Sequence, residues 1–534
     1  MYTADRGKRI GVFCYSKKAT EALFLRRIRV YAHLYSGSAS AIPTMIFSET
    51  KRLEADMAAA ETYDEWKAAA IAHDKKSGVE RWVKSDESKH FDYASIRRRL
   101  RRLRRLKGKK DYAGVLFALN EGLHGNIDGM GSSALYGKSK FSTKKLIVDY
   151  VDEVTDALEL LASSKAKGIP LDERLDFFRR AHHCYGCTAL MMSGAGSLLF
   201  FHIGVVKALW LEGVLPDVLS GSSGGAVVGS LVGTHGEEYL QDIFEPEHLA
   251  QEIERDQGLF NRFEAFRPEI TPIEDVQDAL NRLVPDVTFQ EAFENTGRHL
   301  NISIAAAEKH QTSRLLNSIT TPNVYVREAV MASAAVPGFY PPVALAAKND
   351  QGKKQPYLPS RRWVDGSLSD DLPAKRLSRI YGVNHFVVSQ VNPHIFPFVT
   401  DTKRKRDLFS TVRLAAGRSA REWINASASM FEKPLAMNGT ISRWTNVGLS
   451  IINQDYFGDI NILPDRRFFN PLKLLAHKSI EEIVELIEMG EKSTWPKIEM
   501  IRVQTKIGRR LDRILRDLDR RAPYTKRGVS RRAG

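Results

Sequence analysis

Ser223 stands in the run Gly221-Ser222-Ser223-Gly224-Gly225, preceded by the apolar pair Val218-Leu219 and followed by small apolar residues from Ala226 to Val232. That order predicts a strand, a sharp turn and a helix, with the serine at the turn and glycines Gly221 and Gly225 on either side. A nucleophile elbow needs this arrangement, because the turn strains the serine backbone and only residues without a bulky Cβ fit beside it. The helix behind the turn directs free N–H groups and a positive dipole end at developing negative charge. Small residues often cluster in turns, so the pattern alone has little specificity.

A second turn of the same kind lies upstream. Thr188 to Met192 predicts a buried strand, Ser193-Gly194-Ala195-Gly196-Ser197 a turn, and Phe200 to Trp210 a helix. Bare backbone N–H groups at a strand's C-terminal edge suit a phosphate or an oxyanion. A dinucleotide site would need glycine at position 199 and an acidic residue after the next strand. Position 199 is Leu and the next strand runs into the Ser223 elbow, so the oxyanion reading is the better one. Asp365, in Trp363-Val364-Asp365-Gly366-Ser367, falls at the end of another short strand that meets a glycine turn.

Three histidines compete for a place beside the serine: His202, about two turns into a helix, His385 at a strand start, and His394 just beyond that strand. The chain order Ser223, Asp365, histidine would suit a triad of the α/β-hydrolase kind, but structural roles fit these histidines better. His182-His183-Cys184-Tyr185-Gly186-Cys187 has the spacing of a zinc or redox motif. With no second cysteine pair and a strand following at once, it is assigned neither metal nor redox function.

The elements that must position these residues alternate between strand and helix, the pattern of an α/β core. Leu300 to Ala305 and His385 to Val391 predict further strands, Ala329 to Phe339 a tightly buried helix or turn, and Asp459 to Leu463 a returning strand. Before the core, residues 1 to about 80 read as helical, Leu123 to Gly137 as a long loop, and Leu146 to Leu161 and Leu171 to Ala181 as helices. Ile96, Leu100 and Leu103 form an apolar stripe inside the strongly basic segment Arg97-Lys110. Two readings stay open for it: a helix lying on an anionic membrane, or a solvated helix packing its stripe into the protein. After the core, Ser479-Ile480-Glu481-Glu482 is a capping box opening a helix that closes at Gly490, and a basic amphipathic tail starts at Arg509.

The chain has 534 residues, more than one hydrophobic core usually serves. The expected regions are a helical leader, 1–181, a catalytic α/β domain, 187–397, and a C-terminal region, 398–534. With 43% hydrophobic and 27% charged residues the composition is globular, and a net charge of +15 calls for an acidic partner. No aromatic residues interleave the basic runs, so no nucleic-acid partner is expected. Three cysteines cannot build a disulfide framework, which suits a reducing compartment. No apolar run approaches the roughly 20 residues of a membrane span, and the N-terminus does not read as a signal peptide. The expected location is cytoplasmic, peripheral on a lipid surface.

With Gly194 to Ser197, the Ser223 elbow and Asp365-Gly366 in order, the sequence resembles the patatin-like acyl hydrolases, and within them the triacylglycerol lipases of yeast and plants. The resemblance covers most of the chain, including the leader from Leu123 to Leu161, the segment Arg361 to His394, Gly458 to Ile462 and Trp495 to Ile498. It implies a patatin-like three-layer α/β/α core with a mostly parallel sheet, a helical N-terminal region and a basic helical tail. It implies a serine hydrolase of lipid carboxylic esters, of triacylglycerol lipase or phospholipase A type. Ser223 would be the nucleophile and Asp365 its lone base, with Gly194, Ala195 and Gly196 as the oxyanion loop. No cofactor and no metal are implied. Anionic membrane or lipid-droplet contact would run through Arg97-Lys110 and the C-terminal tail. The family's loop usually carries three glycines and another just beyond, whereas this sequence has Ala195 and Leu199. Those two departures are the support for an alternative, a catalytically weak or inactive membrane-binding protein on the same fold. A lone aspartate with an ordinary pKa near ~3.9 is a poor base at neutral pH, so Asp365 is expected in a partly desolvated pocket beside Ser223.

Overall fold

The computed structural model describes residues 49–166, 168–244, 273–308, 312–391, 458–464 and 478–521. Of the described residues, 49–52 fall in one compact unit and those from Leu53 onward in a second. The leader helices from Tyr63 onward, the sheet and the C-terminal helix all belong to the second. His394, Cys14 and the basic residues Lys526 to Arg532 lie outside the described residues.

The leader contributes α1 (Tyr63–Lys76), α2 (Tyr93–Gly108), α3 (Lys145–Ala162) and α4 (Leu171–Tyr185). In α3 the residues Leu146, Ile147, Tyr150, Val151, Val154, Leu158 and Leu161 recur at helical spacing and all are buried. The stripe of α2, Ile96, Leu100 and Leu103, is buried in the same cluster, so it faces protein. Four cations of α2 that flank the stripe are paired: Arg97 with Asp86 at 2.7 Å, Arg102 with Glu121, and Arg104 and Lys107 with Glu153 at 3.1 and 2.7 Å.

The core follows as β1 (Cys187–Met192), α5 (Leu199–Leu211), β2 (Val218–Gly221), α6 (Gly224–Thr234), β3 (His299–Ala306), β4 (Arg314–Asn317) and α7 (Val326–Ala334). Then come the hairpin β5 (Leu345–Lys348) and β6 (Lys354–Tyr357), β7 (Trp363–Asp365), α8 (Ala374–Tyr381), β8 (Val383–Ser389) and β9 (Ile460–Ile462). The main sheet runs β4-β3-β2-β1-β8-β9, with β7 also paired to β3. The pairs β1–β2, β1–β8, β2–β3 and β8–β9 are parallel, whereas β4 and β7 run antiparallel to β3. A parallel sheet is covered on both faces, and the side chains of β1 alternate accordingly. Leu190 and Met192 join the cluster built with α5, α6 and α7, while Ala189 and Met191 join the one containing Leu377 of α8. Helices therefore pack on both faces of a mostly parallel sheet, the expected α/β class.

The C-terminal helix departs from expectation. The capping box is present, with Ser479 N–H donating to Glu482 at 3.1 Å and Glu482 N–H to Ser479 Oγ at 3.3 Å. The helix does not close at Gly490, however; α9 spans Ile480–Arg521 and continues through Pro496. Gly490 is a packing residue: a Cβ there would run into the Phe201 carbonyl of α5, and one on Gly204 into the Ile487 carbonyl. The two helix backbones touch where both lack side chains. Beyond that crossing, Val503, Ile507, Leu511, Ile514 and Leu518 enter the leader cluster, so one helix belongs to both cores. Among the described residues no helix is long and apolar enough to cross a membrane.

Candidate active site

Parallel α/β sheets present ligand sites at the C-terminal ends of their strands. Three segments converge there. β2 ends in the elbow, and Ser223 adopts φ 50° and ψ −123°, a region in which a residue with a Cβ is strained. The geometry is held from below. A Cβ on Gly221 would overlap the Gly225 carbonyl and one on Gly225 the Met192 carbonyl, so both flanking positions require glycine. Ser223 N–H donates to Ser333 Oγ at 2.9 Å, and the Ser333 hydroxyl donates to Ser303 O at 2.7 Å. That chain ties the elbow to α7 and β3.

The second segment is β7. It places Asp365 opposite Ile304, 2% exposed, with its N–H donating to Ala335 O at 3.0 Å. Ser367 N–H donates to Asp365 Oδ1 at 2.8 Å. The Ser223 hydroxyl lies near enough to the same carboxyl to lower its pKa. Burial pushes the Asp365 pKa up to about 6, against the opposing pull of the Ser367 N–H and the nearby Ser223 hydroxyl. Among the described residues it has no ion pair. The sequence-predicted serine and aspartate are thus brought together.

The third segment is the glycine-rich turn after β1. Ala195 has φ −135°, an ordinary value for a residue with a Cβ, whereas Gly196 has φ 51°. The alanine sits where the backbone tolerates it. Gly194 N–H is committed: it donates to Asp371 Oδ1 at 2.8 Å. Of the three expected donors, the N–H groups of Ala195 and Gly196 have no hydrogen-bond partner among the described residues, and the same holds for Gly224 at the start of α6. Asp371, 1% exposed, also accepts from the Ser222 hydroxyl. One carboxylate oxygen therefore joins the glycine turn to the residue before Ser223. Sequence reasoning missed Asp371, Ser333 and Gly224; the acidic pair Asp370-Asp371 beside a proline carried no recognisable spacing.

The candidate histidines lie elsewhere. His202 is buried in α5, with Nδ1 2.6 Å from Ser389 Oγ and Nε2 3.0 Å from Ser193 O. The carbonyl can only accept, so Nε2 carries the proton and Nδ1 accepts from the Ser389 hydroxyl. Burial pushes this imidazole down to about 4. It props the glycine turn in its neutral form. His385 pairs in register with Thr188 near the start of β1, roughly 13 Å of strand from the Met192 end. There it contacts Thr188 Oγ1 at 3.1 Å and Gln504 Oε1 at 2.8 Å.

His182, Cys184 and Cys187 also belong to that far end, where a cavity of about 930 Å³ opens between their segment, His299 and Asp512. His182 Nε2 lies 2.5 Å from Asp512 Oδ1, and the Cys187 thiol donates to Tyr381 O at 3.4 Å. Burial raises the Cys187 thiol to about 12, far from thiolate chemistry.

Comparison with known proteins agrees with this architecture. Residues 190–378 match the patatin-like phospholipase family, and residues 44–183 a domain family of unknown function, DUF3336. The chain is 33% identical over 477 residues to triacylglycerol lipase SDP1L of Arabidopsis thaliana, covering 85% of this chain and 57% of that protein. It is 31% identical over 469 residues to a patatin-like phospholipase domain-containing protein of Cryptococcus neoformans, covering 84% and 53%. A counterpart in Aspergillus clavatus is 31% identical over 493 residues, covering 86% and 68%. The chain spans a little over half the length of the first two relatives. Among solved structures, VipD from Legionella pneumophila aligns with 57% of the chain at 14% identity and a TM-score of 0.26, too slight a likeness to argue from. Sequence match and site architecture together make this chain a member of the patatin-like phospholipase family.

Proposed function

We propose that the protein is a serine hydrolase of lipid carboxylic esters working through a Ser223–Asp365 dyad. The observation that carries the reading is the strained elbow serine standing beside a buried carboxyl raised to about 6. A base with that pKa is ionised at neutral pH yet basic enough to take a proton in a transition state. Ser223 Oγ attacks the ester carbonyl while its proton passes to Asp365. The tetrahedral oxyanion accepts hydrogen bonds from the N–H groups of Ala195, Gly196 and Gly224, at the N-terminal ends of two helices. Asp365 then returns the proton to the departing alcohol, leaving an acyl-serine. In the second half Asp365 takes a proton from water, the hydroxide adds to the acyl carbon, and the fatty acid leaves as Ser223 is reprotonated.

The substrate reading, triacylglycerol or phospholipid, is supported by the names of the relatives. A peripheral contact with anionic lipid is supported by Arg98, Arg101 and Arg105, which are exposed on one face of α2 and have no ion pair among the described residues. Such a contact weakens as salt rises, and vesicle binding indifferent to salt refutes it.

The test is labelling by a fluorophosphonate probe, with fatty acid release from emulsified triacylglycerol and phospholipid. Wild type is expected to label and to release fatty acid; Ser223→Ala is expected to do neither while keeping its Tm. A folded wild-type protein that neither labels nor hydrolyses overturns the proposal.

A further inference from the structure

The loop between α7 and β5, residues 336–342, reads Val-Pro-Gly-Phe-Tyr-Pro-Pro and carries no charge. Both of its ends are fastened to the strand that holds Asp365. At one end Ala335 O accepts the Asp365 N–H at 3.0 Å; at the other, Val343 and Trp363 exchange two backbone hydrogen bonds of 2.8 and 2.9 Å. Inside the loop, the N–H groups of Phe339 and Tyr340 both donate to Val336 O, at 3.1 and 3.0 Å. Three prolines restrict it further, so little conformational entropy is left to lose on contact. Its apex points outward: Phe339 is 50% exposed, and Pro341 and Pro342 are exposed.

A rigid apolar loop exposing an aromatic ring costs solvation free energy in water and regains it in a lipid interface. We infer that residues 336–342 insert into the lipid surface that supplies the substrate, with Phe339 as the anchor. This rests on the ester-hydrolase reading, because it is the acyl ester that fixes the partner as a lipid phase. The ester carbonyl must reach Ser223 from that phase. A loop bonded on both sides to the Asp365 strand sets the depth at which the dyad meets it.

Vesicle binding separates this proposal from the catalytic one, since it needs no turnover. The full chain in a Ser223→Ala background is sedimented with phosphatidylcholine vesicles containing triolein, with and without Phe339→Asp and Phe339→Trp. Phe339→Asp is expected to lower the partition coefficient about tenfold, the scale of burying an aromatic ring, and Phe339→Trp to retain binding. With the nucleophile restored, Phe339→Asp should hydrolyse a soluble short-chain ester within about twofold of wild type and lose activity on emulsified triacylglycerol. Unchanged vesicle binding overturns the proposal. If Tm then falls, the ring is covered by this chain; if it does not, the loop is ordinary surface. Binding that needs Phe339 in a protein unable to hydrolyse any ester would instead keep the loop and sink the dyad.

Discussion

The two ends of the same parallel strands carry opposite electrostatics. Past the C-terminal ends of β1 and β2, Asp365 is buried against hydroxyl and N–H donors without a cation, and burial raises its carboxyl to about 6. At the N-terminal ends, charges are matched: His182 with Asp512 at 2.5 Å and Arg516 with Asp217 at 3.4 Å, bridging the leader, the sheet and α9. An arginine beside Asp365 would have lowered its pKa and removed its basicity. The carboxyl proposed as the base has no counter-charge among the described residues, whereas Asp512, which ties α9 to α4, is given one. The far end has His182, His385 and Cys187 beside a cavity of about 930 Å³, and the near end has the proposed dyad.

The sharpest way to break that contrast is Asp365→Asn. Activity is expected to fall about 10²–10⁴-fold, the range for loss of a positioned general base. Stability should move the other way. The folded pKa of about 6 lies above the ordinary 3.8, so the folded state holds the proton more tightly. The resulting stabilisation is complete below pH 3.8 and is lost as pH rises through 6. At pH 8 the native protein bears the full cost of a buried carboxylate, which asparagine avoids. Chemical denaturation at pH 8 should show Asp365→Asn more stable than wild type by about 1–2 kcal/mol. Wild-type kcat/KM should fall tenfold per unit below pH 6. An acid limb below pH 5, or an asparagine variant less stable at pH 8, would mean the carboxyl is solvated and not the base.

Asp371 sharpens the comparison within the near end, because its carboxylate positions the site without reacting. It receives Gly194 N–H and the Ser222 hydroxyl on one oxygen. Leucine removes that acceptor, leaves two buried donors unsatisfied and frees the glycine turn. Asp371→Leu is expected to cut kcat by about 10–10²-fold, less than outright loss of an oxyanion donor. Asp371→Asn keeps an oxygen acceptor and should recover most of the rate with the acid limb unmoved. A shift of that limb in the asparagine variant would make Asp371 part of the proton chemistry.

The near end was the more legible in the sequence because close backbone packing restricts residue type. Gly221 and Gly225 flank Ser223 since any Cβ would overlap a carbonyl, and Asp365 is set off by a strand and a glycine. The α/β alternation was legible for the same reason: the C-terminal halves of β1 and β8 are buried on both faces and carry apolar pairs such as Met191-Met192 and Val387-Val388. The illegible part depends on contacts distant in sequence. The antiparallel placement of β7 against β3 brings Asp365 to Ser223, and nothing in Trp363-Val364-Asp365 encodes its partner. The commitment of Gly194 to Asp371 joins residues 177 positions apart. Gly490 looked like a helix stop because local sequence cannot distinguish a C-cap from a crossing point with α5. The stripe of α2 fitted a membrane as well as it fitted α3, and only packing decided between them.

The smallest effect belongs to the far end and tests whether its histidines are structural. The hydrogen bond to Asp512 raises the His182 pKa, with burial opposing it. A raised histidine contributes stability that is fully present below its unfolded pKa, near ~6.5, and is lost as pH rises through the folded value. His182→Gln should therefore lower Tm more at pH 6 than at pH 9. The loss should stay below about 1 kcal/mol, because both side chains are roughly a third exposed and water screens the pair. Fluorophosphonate labelling of Ser223 should not change at either pH, since the bond lies at the opposite end of the strands from the dyad. A His182 variant that keeps its Tm but labels slowly would couple the two ends. The contact between α4 and α9 would then act on the elbow through the long helix that packs on α5, and the division of labour between the ends of the sheet would have to be given up.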